Sequence, residues 1–150
     1  IGFELRYKRS FRTIEKALDR NISNVFLCRT KGEGAAEVFP PRSVSGIYVN
    51  FPDPWSKNRW KKHQILNSEF LAASLGLLKD GGFLSVKTDH EDYFAEFLEI
   101  TRQLQGFSVV EHSADLYSSQ YLALNVETEF ERLFRSQSLP IYYVKLLKHK

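Results

Sequence analysis

Cysteine occurs once in this sequence, as Cys28, and methionine not at all. A single cysteine cannot form an internal disulfide framework or a cysteine-rich zinc site, and it fits a reducing compartment. The expected location is the cytoplasm. No apolar run approaches the roughly 20 residues that a membrane-spanning helix needs, so no membrane partner is expected. No Ser/His/Asp order, no metal-ligand spacing and no phosphate-type glycine loop is visible. His63, His90, His112 and His149 are scattered and read as solvated, and no metal is expected. The chain opens on Ile1, in what reads as the end of a strand, so an N-terminal portion is expected to precede it.

What is present is ordinary for a globular chain. The 150 residues are enough for one domain with a proper core, taken as 1–150. Hydrophobic content of 43% and charged content of 26% exclude a disordered class. The net charge of +3 permits a nucleic-acid partner without demonstrating one.

One stretch stands out. Asn50 to His63 runs NFPDPWSKNRWKKH and follows the apolar Ile47, Tyr48 and Val49. Proline fixes φ and lacks an N–H, and the residue before it is pushed to extended geometry. Pro52-Asp53-Pro54 therefore predicts a stiff, extended exit from a strand. In open α/β sheets ligands bind outside the carboxyl ends of the strands, which is where Asp53 would sit. Trp55 and Trp60, the only tryptophans, interleave with Lys57, Arg59, Lys61 and Lys62. Cations there suit phosphates and indoles suit bases. A solvated basic loop with one turn aspartate is the plainer alternative.

Elsewhere strands and helices alternate. Ser10 can cap a helix with Phe11, Ile14 and Leu18 on one face. Val25 to Cys28 reads as a buried parallel strand. Ala35 to Phe39 reads as a short helical turn, and Val44 to Phe51 as the next strand. Asn67 or Ser68 caps a helix bearing Phe70, Leu71, Leu75 and Leu78. Lys79 to Gly82 reads as a helix stop and turn. The strand Phe83 to Val86 leads into Lys87-Thr88-Asp89 and a helix with Phe94, Phe97, Leu98, Thr101 and Leu104. Gly106, a strand from Phe107, a loop over Tyr117 to Val126, a short helix over Thr128 to Phe134 and a strand over Ile141 to Leu147 complete the chain. The pattern predicts an α/β fold with a mostly parallel sheet. The two closing strands lack a helix of crossover length between them and predict an antiparallel edge.

Glu4, Asp53 and Asp89 would then line one rim. Asp89 is also a good N-cap, with Asp92 at the third helical position, so cap and function both stay open. Thr128 with Glu131 three residues on is a capping-box pattern. Glu4 is equally a surface carboxylate beside Arg6 and Lys8.

NFPDPWSKNRWKKH resembles the signature of the tRNA (guanine-N7)-methyltransferases, a strand followed by F-P-D-P-W and basic residues. Lys87-Thr88-Asp89 is similar to that family's T-D segment, and Thr128-Glu129-Phe130-Glu131 to its C-terminal T-x-[YF]-E motif. Ile1-Gly2-Phe3-Glu4 is similar to the end of its second strand. The resemblance implies a Rossmann-like class I methyltransferase sheet, with S-adenosylmethionine as cofactor and tRNA as substrate. It implies that Glu4 holds the cofactor ribose and that Asp53, the catalytic residue, sits between cofactor and guanine. Lys57, Asp89, Thr128 and Glu131 would contact the substrate, and Arg59, Lys61 and Lys62 the tRNA backbone. The family's Asp-Ala pair has no match between Arg29 and Ala35, and Glu33 is taken as the adenine-side acid. Its glycine before the last strand is also missing. The strand and glycine loop that carry the methionine end of the cofactor would precede Ile1. A non-catalytic RNA-binding module with a degenerate methyltransferase fold is the first alternative. A methyltransferase acting on an amino group, which uses D-P-P-type loops, is the second.

Overall fold

The computed structural model describes residues 1–55 and 63–149. The chain divides into two compact units, Ile1–Pro40 and Pro41–Lys150. Among the described residues no helix is long and apolar enough to cross a membrane.

In the first unit β1 (Gly2–Phe3) and β2 (Leu27–Cys28) pair in parallel. The Glu4 N–H continues the ladder to the Cys28 carbonyl at 3.2 Å. Helix α1 spans Tyr7–Asp19. It begins earlier than the Ser10 cap predicts, because Lys8 and Arg9 are good helix formers and nothing stops the helix there. The Ser10 hydroxyl donates instead to the Glu4 carbonyl at 3.4 Å. The predicted apolar face is not buried: Phe11 and Leu18 are exposed, and Ala17 is the buried residue. The strand predicted over Val25 to Cys28 shrinks to two residues, with Phe26 exposed. A run with a single short ladder partner has little to draw it into a sheet. A 3-10 turn at Gly32–Gly34 leads into α2 (Ala35–Val38), just ahead of the prolines.

The second unit runs β3 (Val44–Asn50), α3 (Ser68–Leu77), β4 (Leu78–Thr88), α4 (Glu91–Gln103), β5 (Phe107–Ser113), α5 (Glu129–Ser136) and β6 (Tyr142–Lys148). The sheet order is β3-β4-β6-β5. Strands β3 and β4 are parallel, and β6 is antiparallel to both β4 and β5. The closing pair thus forms an antiparallel edge, and β3, β4 and β5 run the same way.

Side chains alternate across β4. Leu84 and Val86 face a dry core with Val144 and Leu146 of β6, Phe70 and Leu71 of α3, and Phe94 and Phe97 of α4. Phe83, Ser85 and Lys87 point to the opposite face. Lys79 to Gly82 does not form a separate turn. It is a bulge inside β4, where the register jumps from Val44↔Leu78 to Gly46↔Phe83 and Gly81 takes φ +73°. The long ladder to β3 carries the strand through its own glycines.

Helix α3 starts where the sequence places its cap. The Asn67 side chain accepts from the Phe70 N–H at 2.8 Å and donates to the Gln64 carbonyl at 2.9 Å. Replacing Asn67 by alanine removes the cap and should lower stability by about 1 kcal/mol, while Asn67→Asp keeps most of it. Denaturant unfolding checks this, and equal midpoints for wild type and Asn67→Ala would contradict it.

Candidate functional site

The register of the parallel pair sets two acids at one edge. Asn50 lies opposite Lys87, so β3 and β4 end almost level. Beyond β3 the Phe51 N–H donates to the Lys87 carbonyl at 2.8 Å. The exit is stiff but not extended throughout. Phe51 and Trp55 lie in the left-handed region, at φ 52° and 43°, and bracket Pro52-Asp53-Pro54 with a kink at each end. A non-glycine residue there costs about 1–3 kcal/mol and persists only when its surroundings hold it. Phe51 is held by its main-chain bond and by ring contacts with Phe130 and Phe134, at centroid distances of 6.0 and 5.2 Å. Gln64 Nε2 donates to the Pro54 carbonyl at 2.7 Å, fastening the far side. Asp53 is exposed on this kinked segment. Its charge is felt at the buried Tyr93 hydroxyl, which burial first, with Glu96 and Asp53 adding, pushes up to about 12.

Asp89 follows the last residue of β4 and is half-buried. It is not the cap of α4. That position belongs to His90, whose Nδ1 accepts from the Tyr93 N–H at 3.3 Å. The Thr88 hydroxyl accepts from the His90 N–H at 3.2 Å and turns the chain, bringing the imidazole into capping position. His90 is therefore structural rather than solvated, and the Asp89 carboxylate takes no part in the cap.

Behind this edge lies a buried polar cluster. Lys87 is 6% exposed and Glu131 0%. The Lys87 ammonium donates to Asn125 Oδ1 at 2.6 Å, the Val126 carbonyl at 3.1 Å and Glu131 Oε2 at 3.0 Å. Glu131 Oε2 also accepts from the Thr128 N–H at 2.7 Å, and Oε1 accepts from Asn125 Nδ2 at 2.9 Å. Tyr117 adds a bond to Oε1 at 3.4 Å, with the Arg135 guanidinium 3.8 Å over its ring. Burial pushes the Glu131 carboxyl up, but the bonds from Thr128, Asn125 and Lys87 and the Lys87 charge outweigh it and hold it below the usual range. The Thr128 hydroxyl accepts from the Glu131 N–H at 3.2 Å, so the predicted capping box is complete.

The two acids, Asp53 and Asp89, are thus brought to one sheet edge, with Thr128 half-buried at the start of α5. Glu131 is turned inward and fully engaged. Glu4 and Glu33 lie in the first unit, after β1 and β2, whose parallel pairing puts both carboxyl ends on one side. Glu4 Oε1 accepts the Arg6 N–H at 2.8 Å, and Arg9 stands 3.8 Å from Oε2. Lys57, Arg59, Lys61 and Lys62, with Trp60, lie outside the described residues. Among the described residues no three His, Cys, Asp or Glu side chains gather as a metal site.

Sequence reasoning missed Lys87, Asn125 and Tyr117. A lysine between Val86 and Thr88 on a strand expected to be buried was the available signal, since buried lysine demands a partner. It also missed a cavity of about 430 Å³ on the face away from α3 and α4, lined by Tyr48, Ser85, Lys87, Glu111, Tyr143 and Lys145 among others. There Glu111 accepts from Tyr143 and Lys145, at 2.5 and 2.8 Å.

Residues 1–144 match a family model described as "Putative methyltransferase". A bifunctional glycosyltransferase/methyltransferase of Fusobacterium nucleatum is 35% identical over 99% of this chain, which spans 23% of that protein. A tRNA (guanine-N(7)-)-methyltransferase of Lachnoclostridium phytofermentans is 35% identical over 100% of this chain, which spans 70% of it. A solved structure from Streptococcus mutans described as "a putative methyltransferase", in complex with SAH, superposes with a TM-score of 0.59 at 17% identity, over 97% of this chain and 73% of its own. The last likeness shows a class I methyltransferase fold. With its matched family model and its 35% identity to the Lachnoclostridium phytofermentans tRNA (guanine-N(7)-)-methyltransferase, of which it spans 70%, the chain belongs to the tRNA (guanine-N(7)-)-methyltransferase family.

Proposed function

We propose that this protein transfers a methyl group from S-adenosylmethionine to guanine N7 in tRNA. The observation that carries the reading is the placement of Asp53 and Asp89 at the carboxyl ends of adjacent parallel strands. Ligands of open α/β sheets bind at that edge. The names of the relatives supply the substrate class.

The chemistry of the first unit's donors fits the cofactor. Glu4 is a partly exposed carboxylate just beyond a strand end, and a main-chain N–H already orients one of its oxygens. A carboxylate has about four lone-pair sites, so acceptor capacity remains for a ribose diol. Glu4 would hold the ribose and Glu33, exposed on the turn after β2, the adenine side. When bound, S-adenosylmethionine supplies a methyl group activated by a positively charged sulfur.

Guanine N7 carries an in-plane lone pair and no proton. Its methylation needs no general base, and the purine gains positive charge as the bond forms. The work left for this chain is alignment and electrostatics. Asp53, fixed between two kinks, places negative charge where that positive charge develops and can accept from guanine N1–H and N2–H. Asp89, not spent on a helix cap, serves the same end. The Thr128 hydroxyl is used as an acceptor by its cap, which leaves its proton to donate to a base or ribose oxygen. Lys57 contacts the substrate, and Arg59, Lys61 and Lys62 take backbone phosphates. Trp55, 38% exposed, would offer a stacking surface to a base. Glu131 acts on the substrate only through the elements it holds.

Asp53→Ala should lower the single-turnover rate of methyl transfer by about 10²–10³-fold. Its affinity for tRNA should stay within about threefold. Equal losses in rate and affinity would assign Asp53 to binding alone. Replacing Lys61 and Lys62 together by alanine should weaken tRNA binding and flatten its dependence on salt. The slope of log K against log salt should fall by about 1–2, at roughly 0.7–0.9 for each lost phosphate contact. Titrations at several salt concentrations measure it, and an unchanged slope would remove both lysines from the RNA interface.

A further inference from the structure

We infer that Lys87 is a positioning residue for methyl transfer: its main chain and its ammonium together fix the three segments that carry Asp53, Asp89 and Thr128. The inference rests on the functional reading above.

Lysine is almost never fully buried unless it is paired. Lys87 is buried on the face of β4 opposite α3 and α4. An ammonium group has three protons, and here each has one acceptor: Asn125 Oδ1, the Val126 carbonyl and Glu131 Oε2, within 2.6–3.1 Å. Two of these acceptors lie on the segment leading to Thr128, and the third is the glutamate that closes the Thr128 capping box. The side chain therefore sets where α5 begins. The main chain of the same residue sets the other two segments. Its carbonyl accepts from the Phe51 N–H, two residues before Asp53. Two residues after it, Asp89 leaves the strand. Phe51 closes the loop by packing on Phe130 and Phe134 of α5.

Stability alone does not account for the pair. Buried ion pairs can often be replaced by neutral groups of similar shape at little cost in stability. What such a replacement loses is the directional set of three bonds. A chain that needs only a folded core gains little from Lys87. A chain that must hold two carboxylates and a hydroxyl to within a fraction of an ångström of a reacting base gains a fixed reference point.

The test uses the double variant Lys87→Met with Glu131→Gln. It removes both charges, keeps a side-chain acceptor for the Thr128 N–H and leaves no buried charge unpaired. Melting temperature, tRNA affinity and single-turnover methyl transfer are compared with wild type. The double variant should melt within a few degrees of wild type and bind tRNA within about threefold. It should transfer the methyl group about 100-fold more slowly. A folded double variant whose rate is within threefold of wild type would overturn the inference. Asn125→Ala is the second variant, for the case in which the double variant does not fold. It deletes one acceptor of Lys87 and one donor to Glu131 and keeps the ion pair, and it should lower kcat about tenfold while KM for tRNA stays unchanged. Unchanged kcat there would overturn the inference as well. A wild-type protein that transfers no methyl group would remove the functional reading and this inference with it. An active wild type with an equally active double variant removes the inference alone.

Discussion

Taking an ammonium group and a carboxylate out of water costs several kcal/mol each, and the attraction between them offsets this only when the remaining hydrogen-bonding capacity is met. The Lys87–Glu131 pair meets that condition. Lys87 uses its three donors, Glu131 Oε2 receives two hydrogen bonds and Oε1 one from Asn125, with the single proton of the Tyr117 hydroxyl shared between Oε1 and Glu127. Among the described residues no buried side-chain polar atom lacks a partner. Because the Glu131 carboxyl is held below its usual range, the folded state is favoured above the unfolded-state value, and that contribution is lost as pH falls through the folded one. The pair ties the middle of the sheet to the start of α5 and so fixes the edge at which the acids stand.

Among the described residues that edge is stiffly built. Its acids follow strands whose register is set by a continuous ladder from Gly46↔Phe83 to Asn50↔Lys87. The strained φ values at Phe51 and Trp55 lie on either side of Asp53, and the surrounding bonds hold them. A side chain presented this way would lose little entropy on engaging a ligand. In the proposed function the basic residues after Trp55 would bear on the tRNA backbone, where a point charge matters more than angstrom-level placement. Recognition and chemistry would then draw on neighbouring stretches of a single segment.

Much of the fold was legible in the sequence, for stated reasons. The apolar runs at β3, β4 and β6, the Asn67 cap and the Thr128 capping box are local signals with local causes, and the structure has all of them. The errors lie where two signals compete for the same residues. Gly81 and Gly82 read as a turn, yet the β3 ladder carries β4 through them as a bulge. Asp89 read as a possible cap, yet the Thr88 hydroxyl turns His90 into that place. Left-handed φ at a phenylalanine and a tryptophan cannot be read from propensity, because both residues disfavour it. The partners of Lys87 lie 38–44 residues away, beyond any periodicity. The candidate acids were visible because proline and strand ends leave a mark in sequence, and the clamp behind them was not.

The most direct measurement is product identification on tRNA. Unmodified tRNA is incubated with the protein and S-adenosylmethionine carrying a labelled methyl group, digested to nucleosides and analysed by mass spectrometry. Label is expected in 7-methylguanosine and in no other nucleoside. Label on an exocyclic amino group, or tRNA binding with no label transferred, would contradict it.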